Sequence, residues 1–300
     1  MTVFKPAQKI NTSDLLFDIA VNGFLILTLL VVIYPLYFVV IASFSDPRFV
    51  NSGQVILLPK GITFEGYRMI FNDARIWNGY VNTIIYTVGF GALGAFITLL
   101  AGYALSRKEL YGRKLIASVF LFAMYFHGGL IPTYLVVKQI HLQNNPLIMI
   151  IMGSLNIYYV FITRSFFEST VSEELYDASR IDGCSTSQFF FRIVLPLSQA
   201  IIAVIVLFYA VTQWNSYFKA LVYLNDKKYY PLQLILRDLL IKSQNLQDQI
   251  ADLHSMGVAE RIAEQLKYGT IIVSVIPVMI LYPFLQKYFV QGVMIGSVKG

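Results

Sequence analysis

The chain predicts an all-α, polytopic membrane protein with six transmembrane helices. Three observations carry that reading. Of its 300 residues, 57% are hydrophobic and only 13% charged, where soluble domains carry about 25% charge. The apolar residues gather into runs long enough to cross a bilayer, which takes about 17–25 residues as helix. The basic residues concentrate in a few of the intervening stretches, the signature of cytoplasmic flanks. That distribution accounts for the net charge of +6 without any nucleic-acid partner. A single cysteine, Cys184, excludes internal disulfides and cysteine-based metal clusters.

Residues 1–18 are polar and read as a cytoplasmic N-terminal segment, with one transmembrane domain over 19–291. The first span, Ile19–Phe44, is too long for the apolar core of a cleavable signal peptide, and Pro35 is expected to kink it. Residues 45–78, rich in turn formers, make an external loop in which Ile62–Asp73 is expected to form a short helix. The second span, Tyr80–Leu105, carries Gly89, Gly91, Gly94, Ala95, Ala101 and Gly102, small residues that let helices approach closely. Arg107, Lys108, Arg113 and Lys114 then place the following loop in the cytoplasm. In the third span, Leu115–Val137, His127 reads as the only ionisable group deep within a span. The fourth span, Leu147–Thr163, returns the chain inside, and the fifth, Leu197–Leu224, leaves it again. Residues 225–267, with six basic and six acidic side chains, are too polar for the bilayer and form a second external loop. Tyr268–Val290 is the sixth span, and 292–300 a cytoplasmic tail. Both termini then lie inside, at the cell membrane.

Between spans four and five, residues 164–196 interrupt the apolar chain with Glu168, Glu173, Glu174, Arg180, Asp182 and Arg192. These belong in water. Thr170 to Glu173 fits a capping box, and the two glutamates suit a first helical turn. Leu175, Ala178 and Ser179 share one face, small or apolar enough for a partner surface to approach. Gly183 breaks that helix. A second segment sets Phe189, Phe190 and Ile193 on one side, and Pro196 marks the first turn of the next helix. An ordinary cytoplasmic loop with two amphipathic helices would look the same by periodicity.

The spacing says more. Asp177-Ala178-Ser179, three residues, Gly183, nine residues, Ile193, one residue and Leu195-Pro196 resemble the EAA loop of ABC importer permeases, departing from it at Asp177 for Glu and Ser179 for Ala. Phe126–Lys138, Trp214–Phe218, Tyr230 to Gln233, Asp182-Gly183 and the closing Gln286–Gly300 are similar to carbohydrate permeases of the maltose type, most of all the second permease of Gram-positive oligosaccharide importers. The resemblance implies a type I importer fold in which the loop forms coupling helices that dock on an ATPase. Its coupling residues would be Glu174, Asp177, Ala178, Ser179, Asp182, Gly183, Ile193, Leu195 and Pro196. It also implies a second, homologous permease subunit, two ABC ATPase subunits holding ATP and Mg, and an extracellular sugar-binding lipoprotein, with no cofactor on this chain. The loop 225–267 is then a candidate contact for the binding protein.

Chemistry that is missing agrees. No GxxxxGK[ST] phosphate loop and no HExxH pair occurs, and His127, His141 and His254 lie far apart. This chain is expected to be a non-catalytic subunit. No span carries an acid near its middle, as an ion-driven carrier would, so energy is expected from a partner. A sugar path needs aromatic faces and amides. Asn156, Tyr158 and Tyr159 in the fourth span, and Trp214, Asn215 and Tyr217 in the fifth, are the candidates, although Trp and Tyr near span ends also serve as interfacial anchors. A permease for another solute on the same scaffold, or a stand-alone carrier or intramembrane enzyme, are the alternatives.

Overall fold

The computed structural model describes residues 12–249 and 265–280. Part of the N-terminal segment, the end of the sixth predicted span, the tail 292–300 and part of 225–267 lie outside the described residues. Among the described residues every regular element is helical, and they divide into two compact units.

The first unit takes the chain up to Ile70 together with Lys242–Ile272. It opens with α1, Thr12–Ser43, which runs through Pro35. From Leu15 to Leu36 its apolar side chains are exposed, as suits a surface facing lipid or another subunit. Only at its end do Ile41 and Ala42 meet Val50 and Val55 in a small core. Asp46 caps α2, Pro47–Asn51, through Arg48 N–H. The short helix expected from Ile62–Asp73 is present as α3, Glu65–Asn72.

The second unit holds Phe71–Ile241 and the described residues from Val273. Its axis is α4, Ala74–Ser106, which begins six residues before the predicted span. The chain continues through α5, Arg113–Tyr125, and α6, Leu130–Gln139. Next come α7, Leu147–Ile151, and α8, Ile157–Thr170. The loop helix α9, Glu173–Ile181, leads to α10, Thr186–Phe189, a π turn at Phe190–Val194 and the single turn α11, Leu195–Leu197. Then follow α12, Gln199–Trp214, α13, Phe218–Tyr223, α14, Leu232–Gln249, and α15, Gln265–Ile280, the last two each divided between the units.

Close packing on α4 follows from its small residues. A Cβ on Gly94 would lie 2.8 Å from the Tyr209 ring and 2.9 Å from Ser154 O, and one on Gly102 would meet Thr163 at 2.8 Å. α8 and α12 accordingly pack directly against α4. Tyr209, in α12, joins all three helices. Its hydroxyl accepts from Asn156 N–H at 3.0 Å and reaches Thr98 Oγ1 at 2.7 Å.

Among the described residues, two helices, Leu15–Ser43 and Ala74–Ser106, are long and apolar enough to cross a bilayer, or up to four spans if two bent pairs each count as one. The third predicted span bends by 111° between α5 and α6, at Phe126–Gly129. The fourth breaks after Ile151 and resumes at Ile157, with Gly153 at φ 84°, a left-handed conformation that a side chain would strain. It then extends past Thr163 to Thr170, so Arg164 and Glu168 ride on this helix instead of the loop. The fifth ends at Trp214 and restarts at Phe218. Within 225–267, read as a polar loop, α14 buries Leu232, Leu234, Ile235 and Leu236. Composition averaged over a run cannot register these interruptions, which depend on single backbone torsions.

Candidate functional site

The loop between α8 and α12 is built from three local devices. Ser172, and not Thr170, is the N-cap of α9, its side chain accepting from Leu175 N–H at 3.3 Å. Thr170 is the last residue of α8, so the cap sits two residues later than the pattern suggests, and with Leu175 at the third helical position it is a single N-cap bond and not the expected capping box. At the other end Gly183 takes φ 74°. There Gly183 N–H donates to Arg180 O at 3.0 Å and Cys184 N–H to Ser179 O at 2.9 Å, the paired bonds of a Schellman close. A complete capping box then starts α10, where Ser185 and Gln188 exchange side-chain and backbone bonds.

α9 sits on the body of its own chain by one face. Ser179 is buried at 5% exposure and Leu175 and Tyr176 pack on the core. The face expected to receive a partner is therefore turned inward at Leu175 and Ser179, because those are the apolar positions the core can use. Glu173, Glu174, Asp177, Ala178, Asp182 and Gly183 stay exposed, and Ile181 stands 87% exposed at the helix end. The second segment behaves as a plug. Phe189, Phe190 and Val194 are almost wholly buried against Leu99 and Tyr103 of α4 and Phe167 of α8. The Phe190 and Tyr103 ring centroids lie 4.8 Å apart, and Tyr176 meets Phe189 edge-on at 5.2 Å. Burying each of these side chains stabilises the contact by about 1.5–3 kcal/mol. Ile193 and Leu195 pack beside the plug. Pro196 lies in α11, and the chain turns by 83° around Ser198 before α12 begins at Gln199. The next long helix thus starts after the proline, since α11 closes in a single turn.

The basic loop after α4 supports the same structure. The Arg107 guanidinium lies 3.7 Å from the centre of the Tyr176 ring and pairs with Glu109 at 3.0 Å. Burial alone would raise the Glu109 carboxyl, but its own backbone N–H and Arg107 outweigh that and hold it below the usual carboxylate range. Lys108 reaches Glu173 at 2.7 Å, and Glu168 collects both Arg113 and Arg164. A cavity of about 420 Å³ opens among these side chains. Lys108 and Glu173 are well exposed, so that pair adds at most about 1 kcal/mol; the aromatic plug dominates.

The predicted path residues separate. Asn156 spends its side-chain oxygen on the N-cap of α8, accepting from Tyr158 and Tyr159 N–H. Tyr159 packs on Phe208 and Tyr209, while Tyr158 is exposed. Trp214 is buried, its indole N–H donating to Ser274 O at 3.0 Å. Asn215 caps α12 by donating to Val211 O, and the exposed Tyr217 lies under Arg237. His127 is exposed at the α5–α6 break; Lys219, inside the predicted fifth span and passed over in the sequence, is a half-buried cation, so His127 is not the one ionisable group within the spans. A lysine within an otherwise uncharged run was the available signal.

No family model matches the chain. Over 95% of its length it is 39% identical to the polygalacturonan/rhamnogalacturonan transport system permease protein YtcP of Bacillus subtilis, covering 99% of that protein. It is 30% identical over 81% of its length to the melibiose/raffinose/stachyose import permease protein MelC of the same organism, covering 84% of it. Among solved structures, a bacterial ABC transporter involved in the import of the acidic polysaccharide alginate contains a chain with 31% identity and a TM-score of 0.81, over 96% of this chain and 100% of that one. The chain belongs to the family of sugar ABC transporter permease subunits.

Proposed function

We propose that this permease forms, with a second homologous permease, the membrane path of an importer for oligosaccharides delivered by an extracellular binding lipoprotein. Two ABC ATPase subunits carry ATP and Mg, and one of them docks on α9 from the cytoplasm. The observation that carries the reading is the asymmetry of α9. One face is locked to the chain through Leu175, Tyr176 and Ser179, while Glu174, Asp177, Ala178 and Ile181 project outward. A partner that grips the outer face moves the inner face with it. Because Phe190 touches Tyr103 and the plug touches Phe167, such motion passes to α4 and α8 as well as to α12. Closure of the ATPases on ATP then opens the path toward the loaded binding protein, and hydrolysis resets it. Both chain ends lie on the ATPase side in this reading. Oligosaccharide as substrate is supported by the sugars named for YtcP, MelC and the alginate importer.

The test is reconstitution in liposomes. Uptake of saccharide is expected only when the second permease, the ATPase pair, the binding protein and ATP are supplied. Uptake by this chain alone, driven by an ion gradient, would refute the proposal.

A further inference from the structure

A cavity of about 330 Å³ lies where three interruptions of the predicted spans come together. Leu130 opens it just past the α5–α6 break, Met152 and Gly153 belong to the α7–α8 break, and Ser216 to the break after α12. Non-helical backbone at membrane depth is tolerated where it is enclosed by protein or lines a wet cavity, and broken helices mark solute sites in many transporters. The volume suits a small ligand group, at the lower end of binding pockets.

Its one charged lining residue is Lys219. The ammonium donates to Met149 O at 3.2 Å, Met152 O at 2.8 Å and Gln213 Oε1 at 3.0 Å, and lies 4.5 Å from the centre of the Phe90 ring. All these partners are neutral, and the lining contains no Asp or Glu. Capping the α7 carbonyls explains how the lysine is held. It uses all three N–H donors of the ammonium and leaves a positive charge with no counter-ion among the described residues, at a half-buried site where electrostatic interactions are stronger than in water. Gln213 accepts through its oxygen, and Thr212 and Ser216 add hydroxyls to the same wall. With those donors spent, a carboxylate entering the cavity is attracted by the charge of the ammonium itself, while the neutral groups of the wall face the hydroxyls of a polyhydroxylated ligand.

The geometry points to Lys219 as a specificity residue for acidic saccharides, holding the carboxylate of a uronate unit as it passes the cavity. This rests on the oligosaccharide reading above and narrows its substrate class. The test measures ATP-dependent uptake of trigalacturonate and of its methyl ester by the full complex with its binding protein, for wild type, Lys219→Met and Lys219→Arg, normalised to assembled complex. The binding protein is common to all variants and cancels in the acid-to-ester ratio. That ratio is expected to fall at least tenfold in Lys219→Met and to stay within threefold of wild type in Lys219→Arg. Equal loss of both substrates in Lys219→Met would make the lysine a helix cap only and overturn the inference. If the Met variant does not assemble, collapse of the ratio in Lys219→Arg overturns it instead. Failure of wild type to take up any saccharide would overturn the oligosaccharide reading itself, and this inference with it.

Discussion

Gly183 is the residue at which folding and the proposed coupling can be tested separately. Its φ of 74° is left-handed, yet a Cβ there would meet nothing within 4 Å. Gly183→Asp should therefore cost about 1–2 kcal/mol in backbone strain, too little to prevent insertion. It places a negative side chain beside the acidic, exposed surface of α9. We expect coupled uptake to fall to background while the amount of protein in the membrane stays near wild type. Wild-type uptake by this variant would count against docking at α9. The glycine was legible in the sequence because helix closure demands that conformation. The inward turn of Ser179 was not, since periodicity marks a face without saying what covers it.

Among the elements, α4 makes the closest approaches. At Gly94 the neighbouring atoms include backbone, Ser154 O, which cannot rotate away as a side chain can. Gly94→Val should destabilise the second unit by about 1–3 kcal/mol or more through overpacking. It should also disturb the Thr98–Tyr209–Asn156 connection beside it. A lowered unfolding temperature in detergent checks this, and an unchanged one would mean that α8 and α12 separate from α4 without cost. The small residues of this helix pointed to close packing from the start. The helices that use them came only from the fold, because small-residue spacing does not name its partner.

At the scale of the whole molecule, the reading requires the coupling loop to face the cytoplasm. Cys184, the chain's only cysteine, sits in that loop just past Gly183 and is partly exposed. A thiol reagent that cannot cross membranes should leave it unmodified in intact cells and modify it in inside-out vesicles when the ATPases are absent. Labelling from outside intact cells would place the loop on the wrong side and refute the assembly.

By itself the sequence determined that this chain is an α-helical membrane protein, where the polar loop between its fourth and fifth predicted spans lies in the chain, and which family it resembles. Those properties are written in composition and spacing, which survive averaging over many residues. Tertiary structure alone decided where the predicted spans break, which face of α9 is spent on the chain's own core, and that Lys219 meets a cavity. Each of these turns on a few torsions and on neighbours distant in the chain, such as Met152 beside Lys219, and neither leaves a mark in local hydrophobicity.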